Sequence, residues 1–255
     1  MTSKLNLPAT GVIVTGGASG IGLASAKALA AVGRPVALWD IAADRARDAA
    51  AAVAQEFGVK AIGLGVDIRD LDSYDAAIEE SRAAMGSIGG FVHAAGVVDT
   101  ASIDGMTAES WDAGIHTHLR PLAFLAQKLQ PDLAANKGSA IVAITSINAT
   151  LGNAINPIYT AAKGGMLSLV RSLADRLARD GVRVNSVSPG QIMTPMMKPA
   201  VDNLPGFFEK RILLARIGEP EEIGSVVRFL MSDDASYVTA AELVVDGGNI
   251  SSQRV

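Results

Sequence analysis

The 255-residue chain has no cysteine, which excludes disulfides, thiolate-ligated zinc and cysteine nucleophiles. Histidine is scarce, with three residues in all: His93, His116 and His118. Neither sign of charge dominates. The chain has 22 Lys and Arg against 26 Asp and Glu, a net charge of −4 with no basic run, so no nucleic-acid partner is expected. No apolar stretch reaches the ~18 residues needed to span a bilayer, so no membrane partner is expected. The opening MTSKLNLPATG lacks the apolar core of a signal peptide and points to a cytoplasmic protein.

What is present is an ordered globular composition, with 49% apolar and 19% charged residues and 26 glycines. Short β-branched runs alternate with longer alanine-rich segments. Strands are expected at 11–15, 35–40, 60–67, 90–95, 139–145, 182–187 and 242–246, and helices near 20–33, 42–57, 72–86, 107–135, 157–180 and 219–231. The strand runs are mostly continuously apolar, as in strands covered on both faces. Strand–helix alternation predicts an α/β fold with a parallel sheet between helical layers. No linker or repeat interrupts it, so residues 1–255 read as one domain. The least regular stretch, QIMTPMMKPAVDNLPGFF at 191–208, has the character of a binding loop or lid.

After the first strand comes TGGASGIG, residues 15–22, leading into a helix. Gly16 permits a tight turn, Gly20 lets backbone approach a phosphate, and Gly22 lets helix pack on strand. A helix N-terminus there offers free N–H groups to a pyrophosphate. The same glycines also suit a tight turn and nothing more. Asp40 ends the second strand, 18 residues beyond Gly22. Its carboxylate could accept from a ribose 2′-OH and repel a 2′-phosphate, or cap the following helix. Ser19 in the turn offers no cation for a 2′-phosphate, which also favours NAD over NADP.

IYTAAKGG places Tyr159 and Lys163 four apart, on one face of a helix. A nearby ammonium lowers a tyrosine pKa by roughly 1–3 units, enough to let it exchange a proton with an alcohol oxygen. The pattern also occurs in helices with no chemistry. Ser146 follows the fifth strand, 13 residues before Tyr159, and Asn185, Pro189 and Gly190 lie at and beyond the sixth. All are at carboxyl ends of strands.

In TGGASGIG, Ser146 before YTAAK, SPGQIMT at 188–194 and VVDGG at 244–248, the chain resembles the short-chain dehydrogenases/reductases over essentially its whole length. The resemblance implies a doubly wound Rossmann-type three-layer fold with a seven-stranded parallel sheet, and NAD(P)-dependent interconversion of an alcohol and a ketone. It implies that Tyr159 is the general acid/base, that Lys163 binds the nicotinamide ribose and depresses the tyrosine pKa, and that Ser146 polarises the substrate oxygen. Gly16, Ser19, Gly20, Ile21, Gly22 and Asp40 would hold the pyrophosphate and adenosine ribose. Asp67 and Ile68 would meet the adenine, Gly96 the ribose side, and Pro189, Gly190, Ile192 and Thr194 the nicotinamide.

Two family asparagines are histidines here: His93 in HAAG, and His118 in the helix motif that begins Trp111-Asp112. In the family the helical asparagine sustains a water-linked proton relay from the lysine. His118 would take that place as a group that titrates near neutrality, helped by Pro121, which should kink the helix and free the Thr117 carbonyl. Alternatively, His93 and His118 pack together or bind backbone. No metal is expected, because His116 and His118 point about 200° apart on a helix. His116 would face elsewhere, at a subunit contact.

Met193, Met196, Met197, Leu204, Phe207 and Phe208 would line an adaptable apolar pocket or pack the lid, with 150–155 as the opposite wall. The expected substrate is a hydrophobic small-molecule secondary alcohol or ketone, the cofactor NAD, and the assembly a homotetramer, as is common in the family. An NADPH-linked 3-oxoacyl reductase and a nucleotide-binding sensor with vestigial catalysis are the alternatives. Asp40 opposes the first, and the intact Ser146, Tyr159 and Lys163 oppose the second.

Overall fold

The computed structural model describes residues 8–251. The segment 1–7, which holds most of the opening read above for a signal peptide, and residues 252–255 lie outside the described residues. Seven strands, β1 (Gly11–Thr15), β2 (Val36–Asp40), β3 (Ala61–Gly65), β4 (Ile88–His93), β5 (Ala140–Ile144), β6 (Arg183–Pro189) and β7 (Glu242–Val245), form one sheet in the order β3-β2-β1-β4-β5-β6-β7. Every pairing is parallel. The helices between them are α1 (Gly20–Ala30), α2 (Ala43–Phe57), α3 (Tyr74–Met85), α4 (Ala108–Ala135), α5 (Pro157–Leu177), α6 (Lys198–Asn203) and α7 (Pro220–Leu230).

Alternation along each strand builds the layers. Ile13, Trp39, Phe91, Ile141 and Val184 face one side and join Leu122, Leu125, Met166 and Val170 of α4 and α5. Val12, Val14, Leu38, Val142 and Val187 face the other and join Leu29, Ile223, Val227 and Leu230 of α1 and α7. Strands flanked by two cores have no solvent face, which is why they read as unbroken apolar runs.

The strand order reverses between β1 and β4. Ligands of open α/β sheets bind in the crevice at such a switch point, beyond the carboxyl ends of the strands. One element departs from expectation. Part of the irregular stretch 191–208 forms the short helix α6. The long helix α4 runs through Pro121 and Pro131; Pro121 has no N–H to offer the Thr117 carbonyl. The end of α7 rests on two arginines. Arg34, 1% exposed, donates to Met231 O (3.2 Å), and Arg183 donates to Leu230 O (2.8 Å) and Ser232 O (3.1 Å). Cations on the last carbonyls of a helix satisfy acceptors that have no intrahelical donor.

Candidate active site

The turn after β1 is built by close approach. Gly16 has φ +65, and a Cβ there would lie 2.8 Å from the Cα of Ala95 at the end of β4. A Cβ on Gly22 would sit 2.0 Å from the Gly16 carbonyl oxygen, so no side chain fits between α1 and the turn. The helix starts at Gly20 with Ser19 as its N-cap, and the Ser19 side chain makes no capping bond. The first-turn N–H groups, those of Gly20, Ile21 and Gly22 among them, have no acceptor within the helix. Thr194 closes the other side, its Cγ2 standing 3.3 Å from where a Gly20 Cβ would be. Bare backbone amides in a cradle that side chains would fill fit a pyrophosphate.

Asp40 is aimed at that turn. Its Oδ2 accepts from the N–H of Ala18 at 3.2 Å and its Oδ1 from the N–H of Ala42 at 3.1 Å. The cap of α2 is Ala42 with no side-chain capping bond, so Asp40 does not cap that helix; one oxygen holds the backbone just ahead of it and the other binds the glycine-rich turn. A carboxylate has lone pairs left for a ribose hydroxyl. Asp67 is engaged more fully, since Arg69 donates to it from Nε (2.9 and 3.2 Å), Nη2 (2.6 Å) and backbone N (3.0 Å). Those bonds hold its carboxyl below the usual range. Ile68 beside it is buried, and its carbonyl accepts from the Tyr74 hydroxyl.

At the other end, Pro189 ends β6 as a buried residue, and the Gly190 N–H donates to Val245 O at 3.0 Å. Ile192 is buried beside Gly218, and Thr194 Oγ1 accepts from the Met197 N–H at 3.2 Å. Asn185 lies deeper than the crevice. Its side chain is wholly buried, bonded to Val238 O (2.9 Å) and Ala241 N (3.1 Å), and joins β6 to the approach to β7.

Ser146, Tyr159 and Lys163 converge between β5 and α5. The Ser146 Oγ accepts from the Asn148 N–H at 3.1 Å, which leaves its own proton free, and the hydroxyl is near enough to Tyr159 to favour the phenolate. Lys163 lies 5.5 Å from the centre of the Tyr159 ring and donates from Nζ to Ile144 O at 2.6 Å. The expected drop in the tyrosine pKa is not what the surroundings produce. Burial pushes Tyr159 up, with the nearby Ser146 hydroxyl opposing, and burial pushes Lys163 down to about 7. A lysine that is only partly charged near neutrality, with a proton committed to a carbonyl, is a weak lever on its neighbour.

Two of the three histidines, His93 and His118, are backbone clamps. Thr15 Oγ1 accepts from the amides of Ala94 (3.3 Å) and Ala95 (3.4 Å) and donates to His93 Nδ1 (2.9 Å), and His93 Nε2–H donates to the His118 carbonyl (2.8 Å). Every polar atom of a neutral His93 is thus used. His118 Nε2 stands 2.8 Å from Val97 O and 3.3 Å from Val97 N, so its N–H donates to the carbonyl, and Nδ1 carries the lone pair. That Nδ1 is buried and finds no partner among the described residues. Titration near neutrality does not survive this setting, because burial and the Lys163 charge push His93 down to about 3 and His118 to about 2. The His118 ring meets the Tyr159 ring edge-on, centroids 5.4 Å apart.

Three contributors escaped the sequence reading: Asn148, which orients Ser146; Arg69, which pins Asp67; and Asp99, whose Oδ1 accepts from the Tyr159 N–H at 2.8 Å. None belongs to a motif, and the partner of Asp99 is 60 residues away in the chain. The lid residues Met196, Leu204 and Phe207 are exposed, as are Val97, Ile103, Leu151 and Ile155 on the neighbouring loops. Phe207 and Phe208 stack edge-on, and Met193 and Met197 are half-buried. Among the described residues, no three His, Asp or Glu side chains gather to hold a metal ion, and no helix is long and apolar enough to cross a membrane.

A family model described as enoyl-(acyl carrier protein) reductase matches residues 16–249. The chain is similar to an L-rhamnose 1-dehydrogenase (NAD(P)+) of Azotobacter vinelandii, 37% identical over 243 residues, which cover 93% of this chain and 95% of the relative. It is 34% identical over 247 residues to a short-chain dehydrogenase/reductase of Botryotinia fuckeliana, covering 93% and 95%. Its structure superposes with a TM-score of 0.90 on the L-sorbose reductase of Gluconobacter frateurii, solved with NADPH and L-sorbose. That match is 28% identical and covers 97% of this chain and 98% of the other.

Proposed function

The chain belongs to the short-chain dehydrogenase/reductase family, and we propose that within it the protein is an NAD-dependent oxidoreductase that interconverts a secondary alcohol and a ketone. The carrying observation is the convergence of Ser146, Tyr159 and Lys163 between β5 and α5, at the same sheet edge as the glycine-rich turn. When bound, the nicotinamide supplies or accepts the hydride. The N–H groups of Gly20, Ile21 and Gly22 would hold its pyrophosphate, Asp40 the adenosine ribose, Asp67, Ile68 and Gly96 the adenosine end, and Pro189, Gly190, Ile192 and Thr194 the nicotinamide end.

The chain's own part is positioning and proton transfer. Asn148 holds Ser146 so that its hydroxyl hydrogen is presented to an oxygen lying between Ser146 and Tyr159. Tyr159, held protonated by its burial, gives its proton to a ketone at that oxygen; in the reverse direction it takes the alcohol's proton after passing its own toward Lys163, which burial keeps partly neutral. Lys163 shares its buried charge with the Ile144 carbonyl and has protons left for a ribose hydroxyl. A His118 with a pKa of about 2 cannot store a proton near neutrality, so we assign it the role of acceptor. Its free Nδ1 would hold a relay water, and a His118→Asn enzyme with unchanged rate and pH profile would exclude that role.

The preference for NAD rests on Asp40, which presents negative charge where a 2′-phosphate would sit. Exposed apolar side chains on both loops and the lid support a substrate with apolar surface around the reacting carbon. The rhamnose and sorbose enzymes among its relatives support cyclic or polyhydroxylated alcohols as first trials. A homotetramer in the cytoplasm is the expected state. Trp111 and Phe124, partly exposed on α4, supply apolar surface for a subunit contact, and sedimentation equilibrium tests it. The deciding experiment is reduction of NAD and NADP on a panel of aldoses, polyols and cyclic secondary alcohols, with wild type and Tyr159→Phe. Turnover with NAD that disappears in the variant is expected. Equal turnover in the variant would overturn the assignment.

A further inference from the structure

The first turn of α5 lacks a cap of its own. The N-cap Asn156 makes no side-chain capping bond, and Pro157 at the first position has no N–H. The regular bonding of the helix begins with Thr160 N–H to Asn156 O at 3.0 Å, so the amide of Tyr159 needs an outside acceptor. Asp99, in the loop after β4, supplies it at 2.8 Å. A carboxylate is favoured at a helix N-terminus, and this one lands on the backbone of the residue that bears the acid/base hydroxyl.

The same loop is strapped to the approach of α5 a second time. Ser102 takes the left-handed conformation, φ 56, rare for a residue with a side chain. It is held there by its N–H on Ile155 O (3.1 Å) and its hydroxyl on Ala154 O (2.8 Å). On the other side, Val97 is clamped to α4 by His118. Residues 96–107 and 147–156, which flank Ser146 and Tyr159, contain two charged side chains, Asp99 and Asp104, both acidic. Asp104 is exposed, whereas Asp99 is turned inward, and its Oδ2 is buried without a partner among the described residues. A carboxylate chosen for stability alone would have both oxygens satisfied.

We infer that Asp99 is a positioning residue for Tyr159. Its Oδ1 sets the first turn of α5, and with it the reach of the Tyr159 hydroxyl to Ser146. Through Ser102 it makes the 96–107 loop and the acid/base move as one body. The inference rests on Tyr159 being the acid/base.

The test is steady-state kinetics of Asp99→Ala, Asp99→Asn and Asp99→Glu with NAD and the alcohol that turns over fastest in the panel above, each variant checked for folding by thermal denaturation. Asp99→Asn keeps a carbonyl oxygen for the Tyr159 N–H and should hold kcat within about threefold of wild type. Asp99→Ala loses the acceptor, and Asp99→Glu moves it by a methylene. Each should lower kcat about tenfold or more while KM for NAD stays within about twofold, since displacing a reacting group by about 1 Å costs up to ~100-fold. If Asp99→Ala does not fold, the Asn and Glu pair decides by the same criterion. Unchanged kcat in Asp99→Ala or Asp99→Glu, or Asp99→Asn falling as far as either, would overturn the inference. Tyr159→Phe, run alongside, separates the two ideas. If it keeps its activity the acid/base assignment fails, whereas an inactive Tyr159→Phe with a fully active Asp99→Ala removes only the role of Asp99.

Discussion

Gly96 and His118 occupy one space: a Cβ on Gly96 would stand 2.5 Å from Cε1 and 3.1 Å from Nδ1 of the imidazole. The backbone at 96 is not in the left-handed region, so the glycine is required by the ring and not by its own dihedral angles. Overpacking of this kind costs about 1–3 kcal/mol. Gly96→Ala should therefore destabilise the wild type by that amount, and markedly less in a His118→Ala background. Urea denaturation of the two single variants and the double variant measures the coupling, and additive effects would mean that the ring moves aside freely.

Acid should weaken the fold through His93 and His118. Both have folded pKa values, about 3 and about 2, below the unfolded value of about 6.5. Their neutral forms contribute full stability above pH 6.5, and that contribution is lost as pH falls toward 3, because the unfolded chain then binds more protons. The slope is about 1.4 kcal/mol per pH unit for each proton. Unfolding free energies between pH 7 and 4 should fall less steeply in His93→Asn than in wild type, and parallel curves would contradict the neutral clamp.

Lys163 works in the same sense at the alkaline end. Its folded pKa, about 7, lies below the unfolded value of about 10.4, so the native state gains stability as pH rises from 7 toward 10. A Lys163→Met variant carries no such group. Its melting temperature relative to wild type should be highest near pH 7 and drop steadily toward pH 10. A difference independent of pH would show that the ammonium is not desolvated as its burial implies.

Asp40 should decide between cofactors. In Asp40→Ala the carboxylate that opposes a 2′-phosphate is gone, together with its bonds to Ala18 and Ala42. The ratio of kcat/KM for NAD over NADP should fall by about tenfold or more, of the order expected from loss of one close like-charge contact. Retention of the wild-type ratio would place the discrimination elsewhere.

The layers were legible because burial on both faces makes a parallel strand a continuous apolar run. All seven strands lie where such runs occur, from Gly11–Thr15 to Glu242–Val245, with ends shifted by a few residues. The glycine-rich turn and the pairing of Tyr159 with Lys163 were legible because their spacing is local to one turn or one helix face, whereas Ser146, 13 residues before Tyr159 and off that helix, was picked out by the family resemblance. Helix α6 was missed, since six residues with one proline carry too little periodicity to stand out. Asp99 was missed because nothing in VVDTAS distinguishes an inward carboxylate from a solvated one.

By itself, then, the order of residues determined the alternation of strands and helices and the residue types delivered to the carboxyl edge of the sheet. Those depend on periods of two and 3.6 residues, which act over short distances along the chain. Tertiary structure decided what those residues are chemically. Desolvation depends on everything packed around a group, which is why Lys163 is driven toward neutrality and His93 and His118 are neutral clamps. A hydrogen bond such as that from Tyr159 N–H to Asp99 needs two distant segments brought within 2.8 Å, and only the folded sheet does that.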